Sequence, residues 1–94
     1  MSELIEDVIV INTLGIHARP AALLAQSIAH FQSEVYLIFD GNRVNAKSIM
    51  GLLTLGAARG SRITVTCSGD DAEEAMARVK DIFESGFNEI KGYE

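Results

Sequence analysis

Shortages narrow the possibilities for this chain before any motif does. It has one cysteine and one proline in 94 residues. A lone Cys67 excludes an internal disulfide and a multi-cysteine metal site, and it fits a reducing compartment. Positive charge is scarce too: 8 Lys and Arg against 13 Asp and Glu leave a net charge of −5. That balance argues against nucleic acid or an anionic membrane as the main partner. No apolar run approaches membrane-spanning length, and the acidic start, Ser2-Glu3-Leu4-Ile5-Glu6-Asp7, lacks the features of a signal peptide. The expectation is a soluble, cytoplasmic protein with no membrane insertion. Internal repeats, low-complexity stretches and linkers are also missing, so the chain forms one small domain with a two-layer core.

What is present alternates between strand and helix patterns. Val8-Ile9-Val10-Ile11 is a β-branched run typical of a packed strand. From Ala21 to Phe31 the pattern predicts a helix, with Leu24, Ile28 and Phe31 in one stripe joined by Ala21. Val35 to Phe39 reads as the second strand, Asp40-Gly41 as a hairpin turn, and Arg43 to Asn45 as a short antiparallel third strand. A short helix begins at Ser48 and stops near Gly56. In the fourth strand, Arg62 to Ser68, Ile63, Val65 and Cys67 alternate with Thr64 and Thr66, one face buried and one wet. The last helix is capped by Asp70 or Asp71, with Glu73 or Glu74 completing a capping box, and ends at Gly86. Its stripe is Ala75, Met76, Val79, Ile82 and Phe83. The order is therefore β-α-β-β-α-β-α, and single-striped helices imply an α+β, two-layer open-faced sandwich. The expected domain is 1–87, with 88–94 as a C-terminal tail.

The stretch Thr13-Leu14-Gly15-Ile16-His17-Ala18-Arg19-Pro20 concentrates the candidate chemistry. Pro20 suits the first turn of a helix, where a missing N–H costs nothing. His17 then stands at a helix mouth, beside unpaired N–H groups and the Arg19 guanidinium. These positive neighbours disfavour the imidazolium, keep the ring nucleophilic, and suit the oxygens of a phosphoryl group. An isolated histidine is most often a surface or satisfied core residue, and the alternative here is that His17 merely helps cap the helix, with Arg19 in a surface ion pair worth less than ~1 kcal/mol. Metal binding fits poorly. His30, the only other histidine, falls roughly 20 Å along the helix axis, and Cys67 lies on the presumed buried face of its strand. No Ser, His and carboxylate spacing indicates a hydrolase, and no cofactor is implied.

Ser48 is the second candidate. As a plain N-cap it is worth ~1 kcal/mol. Beside it, Ile49, Met50 and Leu53 are more apolar surface than so short a helix buries, although Met50 and Leu53 also fit a core. A phosphate on Ser48 agrees with the helix dipole, yet sets about two negative charges on a surface a partner must desolvate.

Together these stretches resemble the HPr family, the histidine-containing phosphocarrier proteins of the bacterial phosphoenolpyruvate-dependent phosphotransferase system. Leu14-Gly15-Ile16-His17-Ala18-Arg19-Pro20-Ala21 is similar to the family's active-site motif. Lys47-Ser48-Ile49-Met50-Gly51 through Leu55-Gly56 is similar to its regulatory-serine motif. The resemblance runs from the first strand through the third helix, and the C-terminal tail is longer than usual. It implies a four-stranded antiparallel sheet in order 1-4-2-3 with three helices on one face. It also implies that His17 accepts a phosphoryl group at Nδ1 from phosphorylated enzyme I and passes it to a histidine of a sugar-permease component. On this reading the protein is a relay rather than an enzyme, and a monomer. Arg19 would neutralise the group, and the N–H groups of Ala18 and Arg19 would bind its oxygens. Ala22 and Leu23, with Ile49, Met50 and Leu53, would form the docking surface. In relatives served by an HPr kinase/phosphorylase, the serine matching Ser48 is phosphorylated and transfer slows. Two other functions compete: a regulatory phosphoprotein of the same fold controlling a kinase, transcription factor or nitrogen-linked pathway, and a small-molecule-binding domain without phosphorylation.

Overall fold

The computed structural model describes residues 3–89. Its elements are β1 (Glu3–Ile9), α1 (Ala18–Ile28), β2 (Glu34–Phe39), β3 (Asn42–Asn45), α2 (Ile49–Leu55), β4 (Arg62–Ser68) and α3 (Ala72–Glu84). The strands form one sheet in the order β1-β4-β2-β3, and every neighbouring pair is antiparallel. This is the expected order, with the helices packed on one face.

Alternation explains the two layers. Val8, Val35, Leu37, Ile63, Val65 and Cys67 point to one side and join Leu24, Ile28, Leu52, Val79 and Phe83 from the helices in a single core. Burying each large aliphatic or aromatic side chain contributes about 1.5–3 kcal/mol. The opposite face carries Ile5, Thr64, Tyr36, Ile38 and Arg43, where the Arg43 guanidinium lies 3.7 Å from the centre of the Tyr36 ring. Thr66, expected on the wet face, is buried. It sits on a central strand between Ile5 and Tyr36, whose larger side chains cover it.

The hairpin and the short helix match their signals. Asp40 and Gly41 both adopt positive φ, as a tight two-residue turn between right-twisted strands requires. Ser48 caps α2 by accepting the Gly51 N–H at 3.0 Å, and Gly56 ends it.

Other boundaries moved. The β-branched run predicts a strand at Val8 to Ile11, but β1 runs from Glu3 to Ile9. An apolar run marks burial, whereas a ladder needs a partner, and β4 begins only at Arg62. Val10 is buried beyond the strand, bonded to the loop at Gly60 and Ser61. Helix α1 ends at Ile28 rather than Phe31; the Phe31 carbonyl instead accepts the Lys47 ammonium at 2.6 Å. The capping box of α3 does not form. Asp71 is the N-cap residue, but its carboxylate accepts the N–H groups of Gln32 and Ser33 and the Ser33 hydroxyl, tying α3 to the α1–β2 loop.

Of the proposed tail 88–94, residues 90–94 lie outside the described residues. Asn88 and Glu89 close a turn after α3, and Glu89 is buried. Among the described residues no helix is long and apolar enough to cross a membrane.

Candidate functional site

The loop before α1 is shaped by Gly15. Its φ is +70°, and a Cβ there would meet the Ala57 carbonyl oxygen at 2.5 Å. That close approach lets the Ile16 N–H donate to Ala57 O at 3.1 Å, fastening the loop to the chain just past α2. Ile16 turns into the core, while Leu14 is left 65% exposed.

His17 follows as the N-cap residue of α1, with extended backbone and no side-chain cap bond. Its carbonyl accepts the first helical bond, from Ala21 at 3.0 Å, and its own N–H donates to Gly15 O at 3.1 Å. Pro20 has no N–H. Ala18 and Arg19 are thus the first-turn residues whose N–H groups have no acceptor among the described residues, and they follow His17 directly. So His17 does not cap the helix with its side chain; the ring is free for other contacts.

That ring meets a carboxylate absent from the sequence-based picture. Nε2 lies 3.1 Å from Glu89 Oε1 and 3.0 Å from Oε2. The Arg19 guanidinium approaches the same carboxylate at 3.7 Å; it is 80% exposed, whereas Glu89 is almost fully covered. A carboxylate only accepts, so Nε2 is the donor of this contact, and in the neutral ring that arrangement leaves the lone pair on Nδ1. The sequence placed only positive neighbours around His17; the fold adds a negative one.

Glu89 is brought there by an unusual turn. After α3, Gly86, Phe87 and Asn88 all have positive φ, which costs about 1–2 kcal/mol for each non-glycine residue. The conformation is held by the buried Phe87 ring, 4.8 Å from that of Phe83, and by backbone bonds from Phe87 to Ile82 and from Glu89 to Gly86. In the sequence the signal was faint. An acidic residue shortly after a helix stop is ordinary.

Ala22 and Leu23 lie half-buried on α1, which packs against α2. Leu52 and Leu55 of α2 are buried, while Ile49, Met50 and Leu53 are exposed, Met50 most of all at 70%. Met50 and Leu53 are therefore surface, not core. Ser48 is half-buried at the start of that patch. Leu14 is a further exposed apolar residue, on the loop joined to Ala57, and a lone loop leucine carries no periodic signal that would mark it as surface. His30 is exposed beside the Phe31 ring. Cys67 is buried, and burial pushes its thiol up to about 11. Among the described residues no three His, Cys, Asp or Glu side chains cluster as metal ligands.

Known proteins resemble this chain in sequence and in fold. The family model described as "PTS HPr component phosphorylation site" matches residues 5–85. The phosphocarrier protein HPr of Xylella fastidiosa is 46% identical over 83 residues, covering 88% of this chain and 93% of its own. That of Treponema pallidum is 40% identical over 85 residues, covering 90% and 97%. The crystal structure of HPr-C-His from Thermoanaerobacter tengcongensis superposes with a TM-score of 0.87 at 41% identity, covering 97% of this chain and 100% of the other. The chain belongs to the HPr family of phosphocarrier proteins of the phosphotransferase system.

Proposed function

We propose that His17 accepts a phosphoryl group from phosphorylated enzyme I and passes it to a histidine of a sugar-permease component. The observation that carries this reading is the division of the ring. Nε2 is held by Glu89, so Nδ1 is the nucleophile, at a helix mouth with two unpaired N–H groups. In the transfer, the Nδ1 lone pair forms the new N–P bond as the donor's N–P bond breaks and its electron pair returns to the donor. Phosphorylation at Nδ1 leaves a cationic ring with its proton on Nε2, and the Glu89 carboxylate offsets that charge. Arg19 is exposed and swings from Glu89 to the phosphoryl oxygens. Such transfer needs mainly alignment and charge stabilisation. An accessible ring suits a carrier that must release its group, and the His17 side chain is 33% exposed.

Ser48 is proposed as a control point. Its hydroxyl sits at the start of α2 beside Ile49, Met50 and Leu53, the apolar surface a partner would cover together with Ala22 and Leu23. A phosphate from an HPr kinase/phosphorylase there is compatible with the helix N-terminus but charges the docking surface.

Incubation with phosphoenolpyruvate and enzyme I tests the carrier role. Acid-labile, alkali-stable phosphate on His17 is expected, and His17→Ala should abolish it while the variant still unfolds cooperatively. A folded wild-type protein that takes no phosphate contradicts the proposal. For Ser48, kinase and ATP should give acid-stable phosphate and slower transfer through His17; an unchanged rate after stoichiometric modification refutes the switch.

A further inference from the structure

His17 is anchored twice, and both anchors lead to one buried amide. The ring is held through Nε2 by Glu89, and the backbone N–H is held by Gly15 O. Asn12 Nδ2 donates to both acceptors, to Gly15 O at 2.7 Å and to Glu89 Oε1 at 3.1 Å. An amide nitrogen has two hydrogens, and both are used.

The rest of Asn12 is badly served. It is fully buried, and Oδ1 has no partner among the described residues. Turning the amide over would not help, because Oδ1 would then face two oxygen acceptors while the NH2 lost both. A buried unpaired acceptor is destabilising, and an aliphatic side chain in the same space avoids it. What Asn12 offers in return is a pair of donors aimed at the two groups that hold His17.

We infer that Asn12 is a positioning residue for the phosphoryl acceptor, holding Glu89 against Nε2 so that the ring proton stays there and Nδ1 keeps its lone pair. The inference rests on the reading that His17 takes the phosphoryl group. A carboxylate that fixes the tautomer of a working imidazole is itself oriented by an outer partner. Here that partner also pins the Gly15 carbonyl, so one side chain sets both where the ring is hung and which nitrogen is free. No proton need move during transfer: the N–P bond forms and breaks at Nδ1 while the Nε2 proton remains on its bond to Glu89.

The test is 15N NMR of the His17 imidazole in its neutral form, for the full chain, Asn12→Ala and Glu89→Gln. The native protein should show the proton on Nε2. Asn12→Ala should raise the Nδ1-protonated population several-fold. In Glu89→Gln the new carbonyl takes the Asn12 donor and the new NH2 faces Nε2, so the proton should move to Nδ1. Phosphoryl acceptance should fall by about ten- to a hundredfold in Asn12→Ala, the range for losing an outer partner. An unchanged tautomer balance in a folded Asn12→Ala overturns the inference, whatever Glu89→Gln does. Should Asn12→Ala fail to fold, Glu89→Gln decides, since its substitution lies beyond the last helix. The readout needs no phosphate. Tautomer shifts in a protein that never accepts phosphate would keep the positioning role and sink the carrier reading; phosphorylation with unmoved tautomers would do the reverse.

Discussion

Replacing Gly15 by alanine probes the loop that places His17. Two effects add. The left-handed conformation at φ +70° costs an alanine about 1–2 kcal/mol. The new Cβ also meets the Ala57 carbonyl oxygen at 2.5 Å and Ala58 Cα at 3.0 Å, both backbone atoms that cannot rotate aside. Relieving that overlap moves the loop and gives up the Ile16–Ala57 hydrogen bond, a loss of about 0.5–1.5 kcal/mol. The sum is roughly 1.5–3.5 kcal/mol, equivalent in a domain this size to about 6–28 °C in Tm. Gly41→Ala is the control: φ is +81° but nothing lies within 4 Å of its Cβ position, so only the conformational part applies. Urea and thermal unfolding of the two variants therefore separate the close approach from the backbone preference. Equal loss of stability in both would refute the reasoning, leaving Gly15 as an ordinary turn glycine. Because Gly15 O also holds the His17 N–H, Gly15→Ala should slow phosphoryl acceptance, whereas Gly41→Ala should not.

Asp71 should make the acid limb of stability visible. Its carboxyl is lowered from 3.8 to about 2, first by the Ser33 hydroxyl and then by the Gln32 N–H. A depressed folded value contributes stability above the unfolded value and loses it as pH falls through the folded one. The Tm gap between native protein and Asp71→Asn should thus be full above pH ~4 and close towards pH ~2; a gap independent of pH would contradict it. Met50→Glu should leave urea unfolding within about 0.5 kcal/mol of native, as exposed substitutions do, while raising the enzyme I concentration needed for half-maximal transfer. Loss of cooperative unfolding would instead make Met50 a core residue. Ser48→Ala should cost about 1 kcal/mol through the lost cap, read from the same denaturation curves. Cys67, buried with a raised thiol, should resist iodoacetamide at pH ~8 until the protein is unfolded; rapid labelling of the native state would place it at the surface.

Much of the fold was legible because short-range patterns carried it. Asp40-Gly41 demands a tight turn whatever surrounds it, Ser48 and Gly56 bracket a helix by their own hydrogen-bonding and backbone preferences, and alternation in β4 marks a strand. Failures occurred where a local signal had a distant competitor. Asp71 has the capping-box pattern, but the Ser33 and Gln32 donors from across the fold take its carboxylate. Val10 and Ile11 look like strand, yet no strand lies opposite them. The β1-β4-β2-β3 order came from resemblance, since strand identity says little about which neighbour a strand chooses.

The site divides in the same way. Sequence alone determined the helix mouth: His17 before Ala18, Arg19 and Pro20 at the head of an apolar helix is a matter of a few adjacent residues. It likewise determined that α2 had more apolar side chains than one face could bury. Only the tertiary structure decided which ring nitrogen is free. That depends on Glu89, 72 residues from His17, delivered by a left-handed turn that the Phe87 ring holds in place, and on Asn12, whose amide ties it to the loop. No local pattern encodes such a contact, because each of its parts is stable only when the core has already brought the others beside it.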